Sequence, residues 1–172
     1  MDRARYETKK RLWKKKAGVD PKARTAVLFV NGFSGTGLHT LFTILRIFPN
    51  IYKNFIFIQI GLIDSGLFKG AEEISQHKAH IEQEADRYVS YMRAHGFNAE
   101  SRTALGVDVV DESTRIAAEL VKTNPRCIFF AGQLVFPEDT FFTRWLHNYS
   151  AFAIQRRFYT KGIPILILPI RL

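Results

Sequence analysis

From residue 25 onward, short apolar runs alternate with amphipathic stretches. Residues 26–30 are rich in branched and aromatic side chains and are closed by Asn31-Gly32, which predicts a strand. A loop of small residues over 33–37 leads to a predicted helix over 38–48, halted at Pro49-Asn50. Residues 55–62 predict a second strand, apolar on both faces. The longest helix is predicted over 71–95 and ended by Gly96. In it Ile74, Ile81, Ala85, Tyr88 and Met92 form one stripe, while Glu72, Glu73, Lys78, Glu82, Glu84 and Arg93 form the wet face. Residues 102–107 predict a weaker, more polar strand. A helix beginning at Asp111, with an acidic first turn, turns Ile116, Ala117, Leu120 and Val121 inward and stops at Asn124-Pro125. A fourth strand over 127–131 is followed by a loop over 132–139. The last helix, over 140–161, offers Phe141, Trp145, Phe152 and Phe158 for packing and takes Gly162 as its C-cap. Residues 163–170 close the chain as a fifth strand.

Strands alternating with helices imply right-handed crossovers, hence an α/β domain with a five-stranded, doubly wound parallel sheet covered on both faces. Continuously apolar strands agree, because central parallel strands are buried on both sides. An open sheet leaves two edges. Residues 102–107 are polar enough for one, and 163–170 are expected at the other, since Pro164 and Pro169 are tolerated there. An exposed edge of Ile and Leu calls for a cover. A homodimer packing Ile165, Ile167 and Ile170 against their copies is therefore expected.

The composition, 47% hydrophobic in 172 residues, suits one domain with a core of its own. No run reaches the roughly 18 apolar residues of a membrane span. The charged start has no signal-peptide character. The lone Cys127 opens an apolar run and reads as core, which leads to the expectation of a soluble domain in a reducing compartment. Charge adds a second feature. Residues 1–24 hold ten basic side chains against three acidic ones, +7 of the net +9. The chain therefore divides into a basic leader over 1–24 and the α/β domain over 25–172. Arg3, Arg5, Lys9, Lys10, Arg11, Lys14, Lys15 and Lys16 are expected to rest on anionic lipid headgroups, with nucleic acid the less favoured partner.

Ligands of such sheets bind beyond the carboxyl ends of the strands. This makes Asn31, Gly32, Ser34 and Gly35 after the first strand, and Gly132 after the fourth, the candidate ligand-binding residues, with 61–66 after the second strand nearby. Backbone N–H groups of the glycine loop at a helix start could receive phosphate. The loop has no Lys before a Ser or Thr, so it is not a Walker A loop, and it lacks the dinucleotide glycine spacing. The alternative is that its glycines only make a tight turn. A hydrolase reading would use Ser34, Asp108 and His147, in the chain order of an α/β-hydrolase, but Thr36 stands where the nucleophile elbow wants a small residue. His77 and His80, near Glu73 and Glu84, make at most half a metal site, so no metal is expected. No residue is assigned as catalytic, and a protein that is not an enzyme is expected.

Three segments carry a resemblance: Val27-Leu-Phe-Val-Asn-Gly-Phe-Ser-Gly-Thr-Gly-Leu-His39, His147-Asn-Tyr-Ser-Ala-Phe-Ala-Ile-Gln-Arg-Arg157 and Gly162-Ile-Pro-Ile-Leu-Ile-Leu-Pro-Ile-Arg171. They resemble the cytoplasmic C-terminal domain of bacterial permeases of the amino acid–polyamine–organocation superfamily, relatives of the cation–chloride cotransporters. The resemblance implies a fold like that of the universal stress proteins, with strand order 3-2-1-4-5. It implies a regulatory and dimerisation domain of a secondary transporter, joined to the transmembrane domain of the same polypeptide on the cytoplasmic side of the inner membrane. Met1 is then not the natural start, and the leader lies where positive charge is expected. The alternative is a soluble, nucleotide-binding protein of the universal stress type. Nucleotide-binding members of that group place an Asp at the end of the first strand and a Gly-x-x-Gly motif, with further Gly-Ser/Thr, after the fourth. Here Asn31 and Gly132-Gln-Leu-Val135 stand instead, so no cofactor is implied. A related transporter domain senses a cyclic dinucleotide, which leaves a nucleotide open at the same cleft.

Overall fold

Five parallel strands form one sheet of order β3-β2-β1-β4-β5. The strands are β1 (Thr25–Phe29), β2 (Asn54–Leu62), β3 (Asn98–Gly106), β4 (Cys127–Leu134) and β5 (Ile165–Ile170). Between them run α1 (Gly35–Ile47), α2 (Ala71–Ala94), α3 (Val109–Thr123) and α4 (Phe141–Tyr159). The computed structural model describes residues 19–63, 70–134 and 141–170, with Leu134 and 141–149 described by their backbone alone. The leader cations from Arg3 to Lys16 lie outside the described residues. Among the described residues, no helix is long and apolar enough to cross a membrane.

Alternation along the central strands builds two cores. Ala26, Leu28, Phe55, Phe57 and Phe130 face one way and pack with Leu41 and Ile44 of α1 and Tyr88, Val89 and Met92 of α2. Val27, Ile56, Ile58 and Phe129 face the other way and meet Ile116 and Leu120 of α3 and Ile154 and Phe158 of α4. Burial on both faces explains why these strands read as unbroken apolar runs. Cys127 belongs to the second core, and burial pushes its thiol above the ordinary range.

Several boundaries differ from the sequence expectation, each for a local reason. α1 starts at Gly35 and not at Leu38, because the Ser34 hydroxyl caps it by accepting the Gly37 N–H at 3.3 Å. α3 starts at Val109 and not at Asp111, because the Asp108 carboxylate accepts the N–H groups of Val110 and Asp111 at 2.7 and 3.0 Å. β3 begins four residues early, pairing Asn98 with Asn54. At the sheet edge its backbone ladder sets the strand, and its polar side chains are half-buried or, at Arg102, exposed. β4 continues through Gly132 and Gln133, paired with β5 up to Ile170, so these two are strand and not loop. Phe152, expected to pack, is 49% exposed, whereas Phe158 is buried. Along β5, Ile165 and Ile167 are half-buried and Ile170, 2% exposed, is already inside the domain; Leu166 is 42% exposed.

A buried amide fastens the start of the domain. Asn54 donates to the Asp20 carbonyl at 2.6 Å and to Thr25 Oγ1 at 3.1 Å, and accepts from the Asp20 N–H and from Asn98 Nδ2. Residues 19–24 are thereby tied to the starts of three strands, and Val19 packs against the second core.

Candidate functional site

At the carboxyl ends of β1, β2 and β4 the sheet opens into a cleft of about 780 Å³. Asn31, Ser34 and Thr36 line it from the β1–α1 connection, Gln59 and Gly61 from β2, Gly132 from β4 and His77 from α2. This is where doubly wound sheets take ligands, at the point where the strand order reverses. The structure thus brings together Asn31, Ser34 and Gly132 of the sequence-derived set, with Gly32 and Gly35 in the same connection.

Two amides of the β1–α1 loop are engaged from within the chain. The Phe33 N–H donates to Glu84 Oε2 at 2.7 Å, and the Ser34 N–H donates to the Tyr88 hydroxyl at 3.2 Å. That hydroxyl in turn donates to the Gly32 carbonyl at 3.0 Å. The Arg87 guanidinium bonds Glu84 at 3.1 Å and lies 4.1 Å over the Phe33 ring. The bond from Phe33, and then that from Arg87, holds the Glu84 carboxyl below the usual carboxylate range. Burial pushes the Tyr88 hydroxyl above the phenol range, keeping it a donor. Phe57 stacks on the Tyr88 ring at 4.9 Å, and Phe33 meets it at a tilt, 4.7 Å away. α2 therefore clamps the loop from behind and fixes its shape.

The glycines serve this packing. Gly32 has φ 67°, a left-handed turn that a side chain would strain. At Gly37 a Cβ would sit 2.0 Å from the Tyr88 hydroxyl. Gly132, one of the candidate ligand-binding residues, has its Cβ position filled by Thr40 Oγ1 and Ile170 Cδ1, at 2.1 and 2.4 Å. Gly35 has open space around it.

One functional candidate escaped the sequence analysis. Gln59 lies in the apolar run of β2 and is 4% exposed, yet it lines the cleft, and its Oε1 has no hydrogen-bond partner. Buried amides are normally paired, because an unmet polar atom costs about 1–3 kcal/mol. A polar residue inside a strand buried on both faces was the signal that could have found it.

The side chains weighed for hydrolysis have other work. Ser34 and Asp108 cap two different helices, and the His147 side chain lies outside the described residues. Among the described residues no group of three His, Cys, Asp or Glu side chains could hold a metal.

No family model matches the chain, and no curated protein does. Solved structures do. A universal stress family protein from Burkholderia pseudomallei is similar with a TM-score of 0.59 at 15% identity, over 85% of this chain and 96% of that one. A universal stress protein from Archaeoglobus fulgidus gives 0.55 at 12% identity, over 84% and 92%. The likeness is one of fold: five parallel strands in the order 3-2-1-4-5.

Proposed function

We propose that this chain is a regulatory domain that takes a small polar ligand in the cleft and performs no chemistry on it. The carrying observation is the orphaned Gln59 oxygen, buried on the wall of a cleft whose loop is already clamped into shape. Pre-organisation with one unmet acceptor suits recognition of a donor-bearing ligand. Ser34 and Asp108, the side chains weighed for hydrolysis, are engaged as helix caps, which supports a reading without chemistry.

The regulatory domain is, in this reading, the cytoplasmic regulatory and dimerisation part of a secondary transporter. The resemblance of residues 27–39, 147–157 and 162–171 supports it, and the exposed Leu166 on edge strand β5 gives a two-fold partner something to cover. The likeness in fold equally supports the second reading, a soluble protein of the universal stress type. An upstream reading frame encoding about a dozen apolar helices would favour the transporter. A start codon at Met1 with its own ribosome-binding site would overturn it.

The ligand is tested by thermal shift with ATP, AMP and cyclic dinucleotides. At least one is expected to raise the melting temperature, by roughly 2–4 °C, and Gln59→Leu is expected to remove that rise. A flat response across the panel overturns the nucleotide-type ligand. A rise that survives Gln59→Leu moves the recognition away from this amide.

A further inference from the structure

The end of the sheet opposite the cleft gathers cations from separate parts of the chain. Lys22 and Arg24 precede β1, Lys53 precedes β2 and Arg126 precedes β4, and parallel pairing sets these strand starts side by side. Backbone bonds fix them as neighbours. The N–H groups of Lys53 and Asn54 donate to the Arg24 carbonyl at 3.2 and 3.3 Å, and the Thr25 N–H donates to the Arg126 carbonyl at 3.1 Å. The Arg126 guanidinium reaches the Lys22 carbonyl at 3.1 Å. The helices run back to this end, so the last turns of α1 and α3 add Arg46 and Lys122, placed where helix dipoles favour positive charge.

All six side chains are exposed, and among the described residues none is paired with a carboxylate. Asp20 shares this end, where its carboxylate accepts the Lys22 N–H, and Glu119 is held by Arg115. Two isoleucines stand among the cations. Ile47 and Ile51 are 51% and 38% exposed, next to Arg46 and two residues before Lys53. Through Asp20 and Asn54 the basic leader also joins the domain here.

We infer that this end of the sheet docks on an anionic membrane surface. Headgroup phosphates meet Lys22, Arg24, Arg46, Lys53, Lys122 and Arg126, and Ile47 and Ile51 enter the boundary with the acyl chains. Charge without internal partners, interleaved with exposed aliphatic side chains, is the pattern of an interfacial surface. A nucleic-acid face would place aromatic rings between the cations for base stacking, and Tyr52, beside Ile51, is buried instead. Docked this way, the cleft opens away from the lipid, into the aqueous phase. The assignment stands whether or not a transporter is attached.

The test uses the full chain, leader included, with vesicles of phosphatidylcholine alone or mixed with phosphatidylserine. The triple variant Arg46→Gln, Lys53→Gln, Lys122→Gln is expected to weaken partitioning to the anionic vesicles by on the order of 100-fold, about fivefold per cation. A control triple, Lys78→Gln, Arg102→Gln, Arg115→Gln, removes equal charge elsewhere and is expected to weaken it by less than about tenfold. Equal losses in the two triples, or no loss in the first, would mean that net charge or the leader alone binds, and would overturn the assignment. Orientation is read separately. Cys127 is buried, so an environment-sensitive dye can be placed at Ile51→Cys or at Val107→Cys, near the cleft end. A blue shift on vesicles at position 51 and none at 107 is expected, and equal shifts overturn the orientation. Tighter binding to a DNA or RNA duplex than to the vesicles, unchanged by Ile47→Ser with Ile51→Ser, would replace the lipid with nucleic acid.

Discussion

At the cleft end of the sheet three amides of the β1–α1 connection and the first turn of α1 are matched within the chain: Phe33 N–H to Glu84, Ser34 N–H to Tyr88, Gly37 N–H to Ser34. At the opposite end six cations stand exposed, none paired with a carboxylate among the described residues. One topology produces both conditions. Parallel strands with antiparallel crossovers put helix N-termini at the cleft end, with Glu72, Glu73, Asp111 and Glu112 in their first turns, and helix C-termini with Arg46 and Lys122 at the other. The first end is rigid because its partners lie within the chain. The second keeps its charge for a partner outside it. A group matched internally is brittle to substitution; a group left unmatched is tolerant in the isolated domain and sensitive in the complex.

Gly37→Ala probes this contrast most strongly. The new Cβ would meet the Tyr88 hydroxyl at 2.0 Å and its ring carbon Cζ at 2.9 Å. Tyr88 is fully buried and stacked on Phe57, so the ring cannot swing aside. A loss of about 2–3 kcal/mol in urea unfolding is expected. Lys53→Ala at the other end is expected to stay within about 0.5 kcal/mol. Comparable losses at the two positions would show that the ends do not differ in rigidity.

How far this contrast could be read in the sequence depends on where its partners lie along the chain. The order of elements, the two-faced burial of the central strands and the placement of β5 at an edge follow from patterns within ten or so residues, and those were legible. Gly132 was misplaced because an apolar run ending at Ala131 looks like the end of a strand, whereas β4 is prolonged by its pairing with β5. Glu84 was assigned to the wet face of α2 and Tyr88 to its buried stripe. Tyr88 is buried as expected, whereas Glu84 is half-buried against the loop, and that loop lies more than fifty residues upstream, where helical spacing carries no trace of it. The cations before β1, β2 and β4 are spread from Lys22 to Arg126 and become one surface only once the strands are parallel. Gln59 was the exception, visible in principle as a lone amide between Ile58 and Ile60.

Gln59→Leu is expected to act in the opposite direction from Gly37→Ala. Replacing an amide whose oxygen is buried and unpaired with an aliphatic side chain of similar size removes a desolvation cost. The ligand-free protein should gain about 1 kcal/mol in stability. A gain in stability with loss of ligand response is the signature of a residue kept for binding. If stability falls instead, the amide is satisfied within the cleft and the internal matching of this end is complete.

The smallest effect, confined to a window of pH, concerns Glu84. Its carboxyl is held below the ordinary range first by the Phe33 N–H and then by Arg87, with a lesser contribution from His80. The folded state therefore favours the ionised form. The stabilisation is fully present above the unfolded carboxylate pKa of about 4.3 and is lost as pH falls through the lower folded value. Glu84→Gln keeps an oxygen that can accept from Phe33 and removes only the charge. Wild type should accordingly exceed Glu84→Gln in urea midpoint at neutral pH, and the gap should close below about pH 4. Lys53→Gln, at the opposite end of the sheet, supplies the counterpart, and its difference from wild type in urea midpoint is expected not to change with pH over this range. A Glu84→Gln gap that is equally independent of pH would mean that hydrogen-bond geometry alone holds the loop. The cleft end would then owe its rigidity to Tyr88 and the stacked rings, and charge would matter only at the opposite end of the sheet.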